Sequence, residues 1–173
     1  MSALYRVRQF VRAARAWVRP GEGDGEFASR YLPPSAVELF QAMPRYDQQH
    51  AINVCHTLGR QGHVERDLLA AALLHDTGKI VAQGARVRLW HRVAVVLIRV
   101  FWPSLLGRLA KDEQGSWRRP FYVQVHHAAI GAEAAQQAGC SEITVGLIRH
   151  HEDAPDQALD PLLAALQAAD SEN

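Results

Sequence analysis

This chain has little cysteine, little net charge and no long apolar run, and each shortage excludes a class of protein. Cys55 and Cys140 are the only cysteines among its 173 residues. They are too few and too far apart for a disulfide framework or a cysteine-based zinc site, so we expect a reducing compartment. The formal net charge is +1. The charge of the whole chain therefore predicts no nucleic acid polymer as a partner.

The missing apolar run bears on membrane insertion. No segment reaches the roughly 20 apolar residues that span a bilayer. Residues 93–106 come closest, but Arg99 and Pro103 interrupt them. Residues 1–20 are basic but lack an uninterrupted apolar core and a small-residue cleavage site, so no signal peptide is expected. We expect a soluble, cytoplasmic protein.

Apolar residues recur at helical spacing in most of the chain, and no stretch alternates over the length of a strand. The pattern predicts an all-α fold with a compact helical bundle over residues 34–173. Residues 1–33 are predicted to form an N-terminal amphipathic helix and a loop. The arginines of residues 1–19 either lie in water on a docked helix or contact a membrane surface or an acidic partner.

Several predicted helices carry histidine or aspartate at an end or on an apolar face. We expect helices at 35–42 with Ser35 as the cap, from about 47 to 59 or 62, and from about 64 to 74. The third of these is apolar on most faces, so we expect it to be a central helix. Further helices are expected at about 121–137, from Ser141 to about 151, and at about 159–170. Gly78 is predicted to stop the third of these helices.

A helical insertion is predicted around residues 86–120, where arginine alternates with large apolar residues. Two interpretations remain open for one or two helices of this composition. The apolar residues either pack in the core, or they form an interaction surface such as a lid, a dimer contact or a peripheral membrane contact through 86–110.

Histidine is abundant, with nine in the chain. The most informative pair is His75-Asp76, which closes the apolar run that begins at Asp67. A buried imidazole beside a carboxylate is costly unless a cation binds them. Residues in similar settings elsewhere are His50, His127, His150, His151 and Asp170. A single histidine on an apolar helix is usually a hydrogen-bonded core residue, but this dispersed set suits one or two divalent metals.

The order of these residues resembles the HD superfamily of metal-dependent phosphohydrolases. The resemblance covers residues 46–171 and rests on the upstream His50 and four segments: Leu73–Lys79 (LLHDTGK), His127–Glu133, Leu147–Glu152 and Leu166–Asp170. It implies that His50, His75, Asp76 and Asp170 bind one metal. Asp76 would then bridge to a second metal held by His127 and His151. Within the doublet we favour His151 over His150.

Two branches of that family are similar to this chain. The form Ile148-Arg149-x-His151 resembles enzymes that cleave dinucleoside tetraphosphates, whereas the His-His-Glu sequence resembles hydrolases of cyclic dinucleotides. The Gly-Tyr-Pro signature of the HD-GYP type is absent. The resemblance implies a nucleotide or related phosphorylated metabolite as substrate and Fe, Mn, Co, Ni or Zn as the metal.

Two-metal chemistry gives some residues expected roles. Asp76 and Lys79 are the candidate catalytic residues, and Lys79 would balance phosphate charge. Arg118, Arg119 and Arg149 are weaker candidates for substrate binding, and Glu152 could orient an imidazole. Two alternatives keep the HD fold: a mixed-valent di-iron oxygenase, and a non-catalytic signalling scaffold. His56, His63 and His91 are expected to have surface or core roles.

Overall fold

The computed structural model describes residues 24–81, 89–154 and 160–173, and the regular elements in these ranges are all α-helices, which confirms the predicted fold class. Helices α1 to α5 span Asp24–Ser29, Pro34–Ala42, Arg45–Arg60, Arg66–Leu74 and Gly78–Val81. Helices α6 to α10 span Leu89–Phe101, Pro103–Leu109, Arg119–Gln137, Glu142–His150 and Pro161–Glu172. Within the described ranges, none of the helices has the length and apolar character to cross a membrane. The predicted helix in residues 1–19 lies outside these ranges.

Helix α4 is the centre of the bundle because it is apolar on nearly every face. Its residues from Leu68 to Leu74 are all buried. Helices α3, α9 and α10 contact it and contribute buried side chains such as Leu58, Ile148 and Leu166 to the same core. A helix that is apolar all round must be enclosed. The enclosure carries the two residues that follow α4, His75 and Asp76, into the interior.

A hydrogen-bonded contact aligns α9 with the start of α4. Ser141 begins α9 as predicted, and its Oγ accepts a hydrogen bond from the backbone N–H of Thr144 at 3.1 Å. The same hydroxyl donates to Asp67 Oδ1 at 2.5 Å, and Thr144 Oγ1 lies 3.2 Å from the carbonyl oxygen of Asp67. Because α9 is held there, its far end comes beside the far end of α4.

Gly78 does not have the predicted role of ending a helix. It is the first residue of α5, and it is not among the described glycines with positive φ. A Cβ at this position would collide with the carbonyl oxygen of His127 and lie 2.7 Å from the backbone nitrogen of Gly131. The glycine is therefore needed because α5 lies directly against α8. This close approach sets the position of His127 relative to Asp76.

Some predicted helix starts were wrong by one or two residues. Helix α2 begins at Pro34 after Pro33, and no side chain caps it, so Ser35 is already inside the helix. Proline favours the first helical turn because its N–H would have no partner there. Helix α8 likewise begins at Arg119, two residues before the predicted start near residue 121, with Pro120 in its first turn. After α3, Gly62 adopts a φ of 91°, which explains the glycine at that turn.

Residues 24–33 pack with the rest of the bundle. Asp24 and Gly25, which were assigned to the N-terminal loop, lie in α1, and Ala28 and Leu32 belong to the main core. The division between residues 33 and 34 stays a prediction, although the described residues before it share the core of those after it.

The predicted insertion contains two helices, α6 and α7, and we call residues 89–109 the arm. One side of the arm packs on α8 in a small cluster of its own, formed by Val95, Leu106 and Phe121. Its other side exposes large apolar side chains. The core-packing interpretation therefore holds for one face of the arm, and an interaction surface on its other face stays a prediction.

Candidate metal centre

Helix packing brings six predicted metal-binding residues into one cluster. They are His50 from α3, His75 and Asp76 from the turn after α4, His127 from α8, His151 from the end of α9, and Asp170 from α10. Ring centroids lie 5.3 Å apart for His50 and His75, 5.2 Å for His75 and His151, and 5.1 Å for His127 and His151. Residues separated by up to 120 positions in the sequence thus form one continuous site.

The cluster contains two groups of side chains that could each hold a metal ion. The first is His50, His75 and Asp76, and the second is Asp76, His127 and His151. Within each group the candidate ligand atoms lie within 4.8 Å of one another. Asp76 belongs to both groups. A carboxylate shared in this way has two oxygens and can serve two cations.

Three of the imidazoles are oriented by backbone carbonyls one helical turn earlier. The Nδ1 atoms of His75, His127 and His151 lie 2.9, 3.0 and 2.7 Å from the carbonyl oxygens of Ala72, Gln124 and Ile148. An Nδ1–H that donates to a carbonyl leaves a lone pair on Nε2. This is the usual support for a metal-binding histidine, because it fixes both the tautomer and the ring direction.

Two of the Nε2 atoms are buried without a hydrogen-bond partner. His75 Nε2 lies 3.7 Å from Asp76 Oδ1, and His127 Nε2 lies 3.5 Å from the same oxygen, which is too long for a hydrogen bond. Both nitrogens are inaccessible to solvent and lack a partner within the described ranges. A buried polar atom without a partner costs about 1–3 kcal/mol. A cation beside Asp76 would satisfy both atoms.

His50 and Asp170 form the more open side of the cluster. His50 Nε2 is 2.8 Å from Asp170 Oδ1, and that oxygen is 3.6 Å from His75 Nε2. The side chains of His50 and Asp170 are 25% and 34% exposed, whereas those of His75 and His127 are 1% exposed. Solvent therefore contacts the cluster on the side of α3 and α10.

The two carboxylates of the cluster are held in the ionised form. Burial alone would raise the pKa of Asp76, but the Lys79 ammonium, 2.5 Å from Oδ1, and the nearby imidazoles hold this pKa well below its usual range. Burial also opposes ionisation of Asp170, yet His50 and His75 keep the pKa of this carboxyl well below its usual range. Both side chains are thus in the form that binds cations.

The imidazoles differ in protonation because their neighbours differ. Burial, and then Lys79, lowers the pKa of His127 to about 3, and burial followed by His75 lowers the pKa of His151. Burial disfavours the charge on His75 too, but the carboxylates of Asp76 and Asp170 raise its pKa to about 9. His127 and His151 are neutral at pH 7, as metal binding requires. A cation bound beside Asp76 would displace the proton of His75.

His150 lies outside the cluster. Its side chain is 53% exposed, and its Nδ1 is 2.7 Å from Asp153 Oδ2. Its neighbour His151 is buried. Consecutive residues at a helix end point about 100° apart, so only one residue of the doublet can face the interior. Of the two histidines, the structure leaves His151 in the position to bind a metal.

The three arginines predicted as weaker substrate ligands are also not seen in contact with the cluster. Arg118 Nη2 donates to the carbonyl oxygen of Arg108 at 2.8 Å. Arg119 Nε lies 3.2 Å from Asp112 Oδ1, and Arg149 is exposed on α9. Arg118 and Arg119 therefore contact the segment around the end of the arm. Lys79 is the predicted cation that does lie at the cluster.

Gln167 holds part of the site in place but had no clear signal in the sequence. Gln167 Nε2 donates to the carbonyl oxygens of His150 at 3.3 Å and Asp153 at 3.0 Å, so it fastens the turn that follows α9. An isolated glutamine has no motif, and only its place one turn before Asp170 could have drawn attention. Glu152, named from the sequence, lies with Oε1 3.8 Å from His127 Nε2.

Comparisons of the chain with protein-family models, with curated proteins and with solved structures found no match. The case for a metal centre therefore rests on the residues themselves. Oriented imidazoles, ionised carboxylates and two buried nitrogens without partners fit one or two metal ions. His56 is exposed, His63 is half-buried 3.3 Å from Glu65, and His91 is buried against Trp90, away from this site.

Proposed function

We propose that this chain is a metal-dependent phosphohydrolase that acts on a nucleotide or a related phosphorylated metabolite. One observation carries the proposal: two potential metal-binding groups share Asp76. Paired cations a few ångströms apart suit displacement at phosphorus, where both the attacking and the leaving oxygen need stabilisation. The resemblance of the ligand order to the HD superfamily supports the same reaction.

The residues that would hold the metal are those of the two groups together with Asp170. His50, His75, Asp76 and Asp170 would hold one ion, and Asp76, His127 and His151 a second. Imidazole with carboxylate suits Mn, Fe, Co, Ni or Zn, with the choice set by geometry and supply. When bound, such ions lower the pKa of water from 15.7 to about 7 and polarise phosphoryl oxygens.

The chain's own side chains would position and neutralise the substrate. Lys79, beside the shared carboxylate, would offset the negative charge of a phosphoryl group. The carbonyls behind His75, His127 and His151 keep these rings in place, so the site requires little rearrangement. His50 and Asp170 line the more open side, from which we expect the substrate to enter. A cytoplasmic location, where nucleotides are abundant, stays a prediction.

The histidine doublet offers a matched test. We would purify the chain and its His151→Ala and His150→Ala variants without an affinity tag or chelator, measure metal by elemental analysis, and assay phosphate release from mono- and dinucleotides. Wild type and His150→Ala should contain up to two equivalents and release phosphate. His151→Ala should lose metal and at least about 100-fold in turnover, because outer-shell partners alone contribute 10–100-fold.

The chain's two lysines give a second pair. Lys79→Met should lower turnover by about 10–100-fold while metal content stays high, because it removes a charge-assisted contact to phosphate. Lys111→Met, on the exposed segment after the arm, should change neither.

Three results would contradict the proposal. Iron with oxygen-dependent turnover and no hydrolysis would indicate the oxygenase alternative. No bound metal after reconstitution with Mn or Fe would indicate a scaffold. Equal loss of metal in both histidine variants would mean that the cluster does not select His151.

A further inference from the structure

Helix α6 carries a row of exposed apolar side chains on one face. Trp90, Val93, Leu97 and Phe101 are 54%, 37%, 49% and 61% exposed. Their spacing of three, four and four residues places them one above another along the helix. Scattered exposed apolar residues are ordinary, but a continuous row on one helix indicates an interaction surface.

The exposed surface continues beyond α6. Trp102 and Leu105 are 64% and 39% exposed, and Trp117 is 65% exposed. The rings of Trp90 and Trp117 both meet the ring of Phe121 edge-on, with centroids 5.9 and 6.1 Å away, so both tryptophans border the same buried side chain. We call the set Trp90, Val93, Leu97, Phe101, Trp102, Leu105 and Trp117 the apolar face.

The arm already uses its opposite side for packing. Val95, Leu106 and Phe121 are buried together, with Ala94, Ile98 and Val125 against them. The apolar face is therefore additional to the contact that fixes the arm to α8.

The arm and the residues that flank it in the sequence carry formal charge of one sign. No acidic residue occurs between Asp76 and Asp112. The cations in that interval are Lys79, Arg86, Arg88, Arg92, Arg99, Arg108 and Lys111. The first two acids that follow, Asp112 and Glu113, lie 3.2 and 4.0 Å from Arg119 and Arg118. Arginines thus offset the first negative charges that follow the arm in the sequence.

We propose that the apolar face docks the protein on an anionic lipid surface. Tryptophan and phenylalanine favour the boundary between head groups and acyl chains, and nearby arginine and lysine are attracted to anionic lipids. Helix α6 has 13 residues, too few to cross a bilayer but sufficient to lie along its surface. A neutral protein partner would not account for an interval of more than 30 residues without an acid. This inference is independent of the proposed hydrolase activity.

Vesicle sedimentation of the full chain tests the proposal. The vesicles would contain phosphatidylcholine alone or with one-third phosphatidylglycerol. The test variant is Leu97→Gln with Phe101→Gln, and its matched control is Ile143→Gln, which changes a 53% exposed apolar residue on α9. Wild type and control should bind the anionic vesicles, with a blue shift of tryptophan emission. The affinity of the double variant for these vesicles should be at least about tenfold lower, because two apolar side chains no longer enter the interface.

Light scattering on the same proteins separates lipid binding from self-association. Weaker binding of wild type in high salt or on uncharged vesicles would support the proposal. Three results would overturn it: no binding by wild type, equal binding by the double variant, or a dimer that the double variant abolishes while lipid binding is absent. The last result would assign the apolar face to a second copy of this chain.

Discussion

Helices α4 and α6 are similar in composition but differ in their surroundings. Both consist mainly of apolar residues, yet α4 is enclosed by α3, α9 and α10, whereas α6 packs on α8 and α7 and leaves one face open. The elements that surround α4 also carry His50, His151 and Asp170. The same helix contacts therefore bury α4 and assemble the candidate site. Burial of α6 adds no residue to that site.

The largest expected difference between the two regions is in metal binding and turnover. Asp76→Asn removes the carboxylate shared by both groups and should abolish metal binding, with a loss of at least about 1000-fold in phosphate release. Asp112→Asn, just after the arm, should retain both. Elemental analysis and single-turnover assays would measure the effects. Full metal content in Asp76→Asn would show that the cluster is not a metal centre.

A leucine-to-alanine substitution should lower the free energy of unfolding far more in α4 than in α6. Leu74→Ala creates a cavity in the core and should lower the free energy of unfolding by about 3 kcal/mol. Leu97→Ala, at a residue that is 49% exposed, should change it by less than about 0.5 kcal/mol. Urea unfolding followed by circular dichroism measures both. Similar losses in the two variants would mean that the exposed face of α6 is covered in solution.

Glycine-to-alanine substitutions should change the stability of the protein in opposite directions in the two regions. Gly78→Ala places a methyl group against the backbone of α8 and should destabilise the protein by about 2–3 kcal/mol. Gly107→Ala in the arm meets nothing within 4 Å and should stabilise it by about 0.5–1 kcal/mol. Thermal unfolding of each variant gives the sign. A stable Gly78→Ala protein would contradict the close approach of α5 and α8.

Metal removal should have the smallest effect and should be local. At a free metal concentration of ten times Kd, binding adds about 1.4 kcal/mol to the free energy of unfolding, or about 4 °C in Tm. A chelator should remove this increment. Hydrogen exchange should accelerate at the ends of α4 and α9 and stay unchanged in the arm. Faster exchange in the arm would show that the two regions are coupled.

Much of the fold followed from local pattern. Continuous apolar residues from Leu68 to Leu74 predicted a central helix, and Ser141 marked the start of α9. The errors fell where local signals compete. Helix α2 begins at Pro34, so Ser35 does not cap it. Gly78 was predicted to end a helix, but it is needed because the backbone of α8 lies against it. A sequence window does not show which backbone will approach a glycine.

The candidate site was predicted in composition but not in arrangement. Order and residue type selected His50, His75, Asp76, His127, His151 and Asp170, which the structure brings together. Arg118 and Arg119 matched the expected charge but contact a carbonyl oxygen and a carboxylate near the end of the arm, and Arg149 is exposed on α9. The hydrogen bonds from the imidazoles to backbone carbonyls and the contacts of Gln167 were not predicted, because they depend on the directions of the side chains.

Residue types and their periodicity were sufficient for an all-α chain, a buried central helix and a set of histidines and aspartates at helix ends. These properties depend on neighbours three or four positions away. Tertiary packing decided that Asp76 joins two groups and that one face of the arm remains exposed. It also placed His151, which the family resemblance had favoured, and not His150 at the cluster. Each of these depends on contacts between helices far apart in the chain, whose relative positions no local pattern specifies.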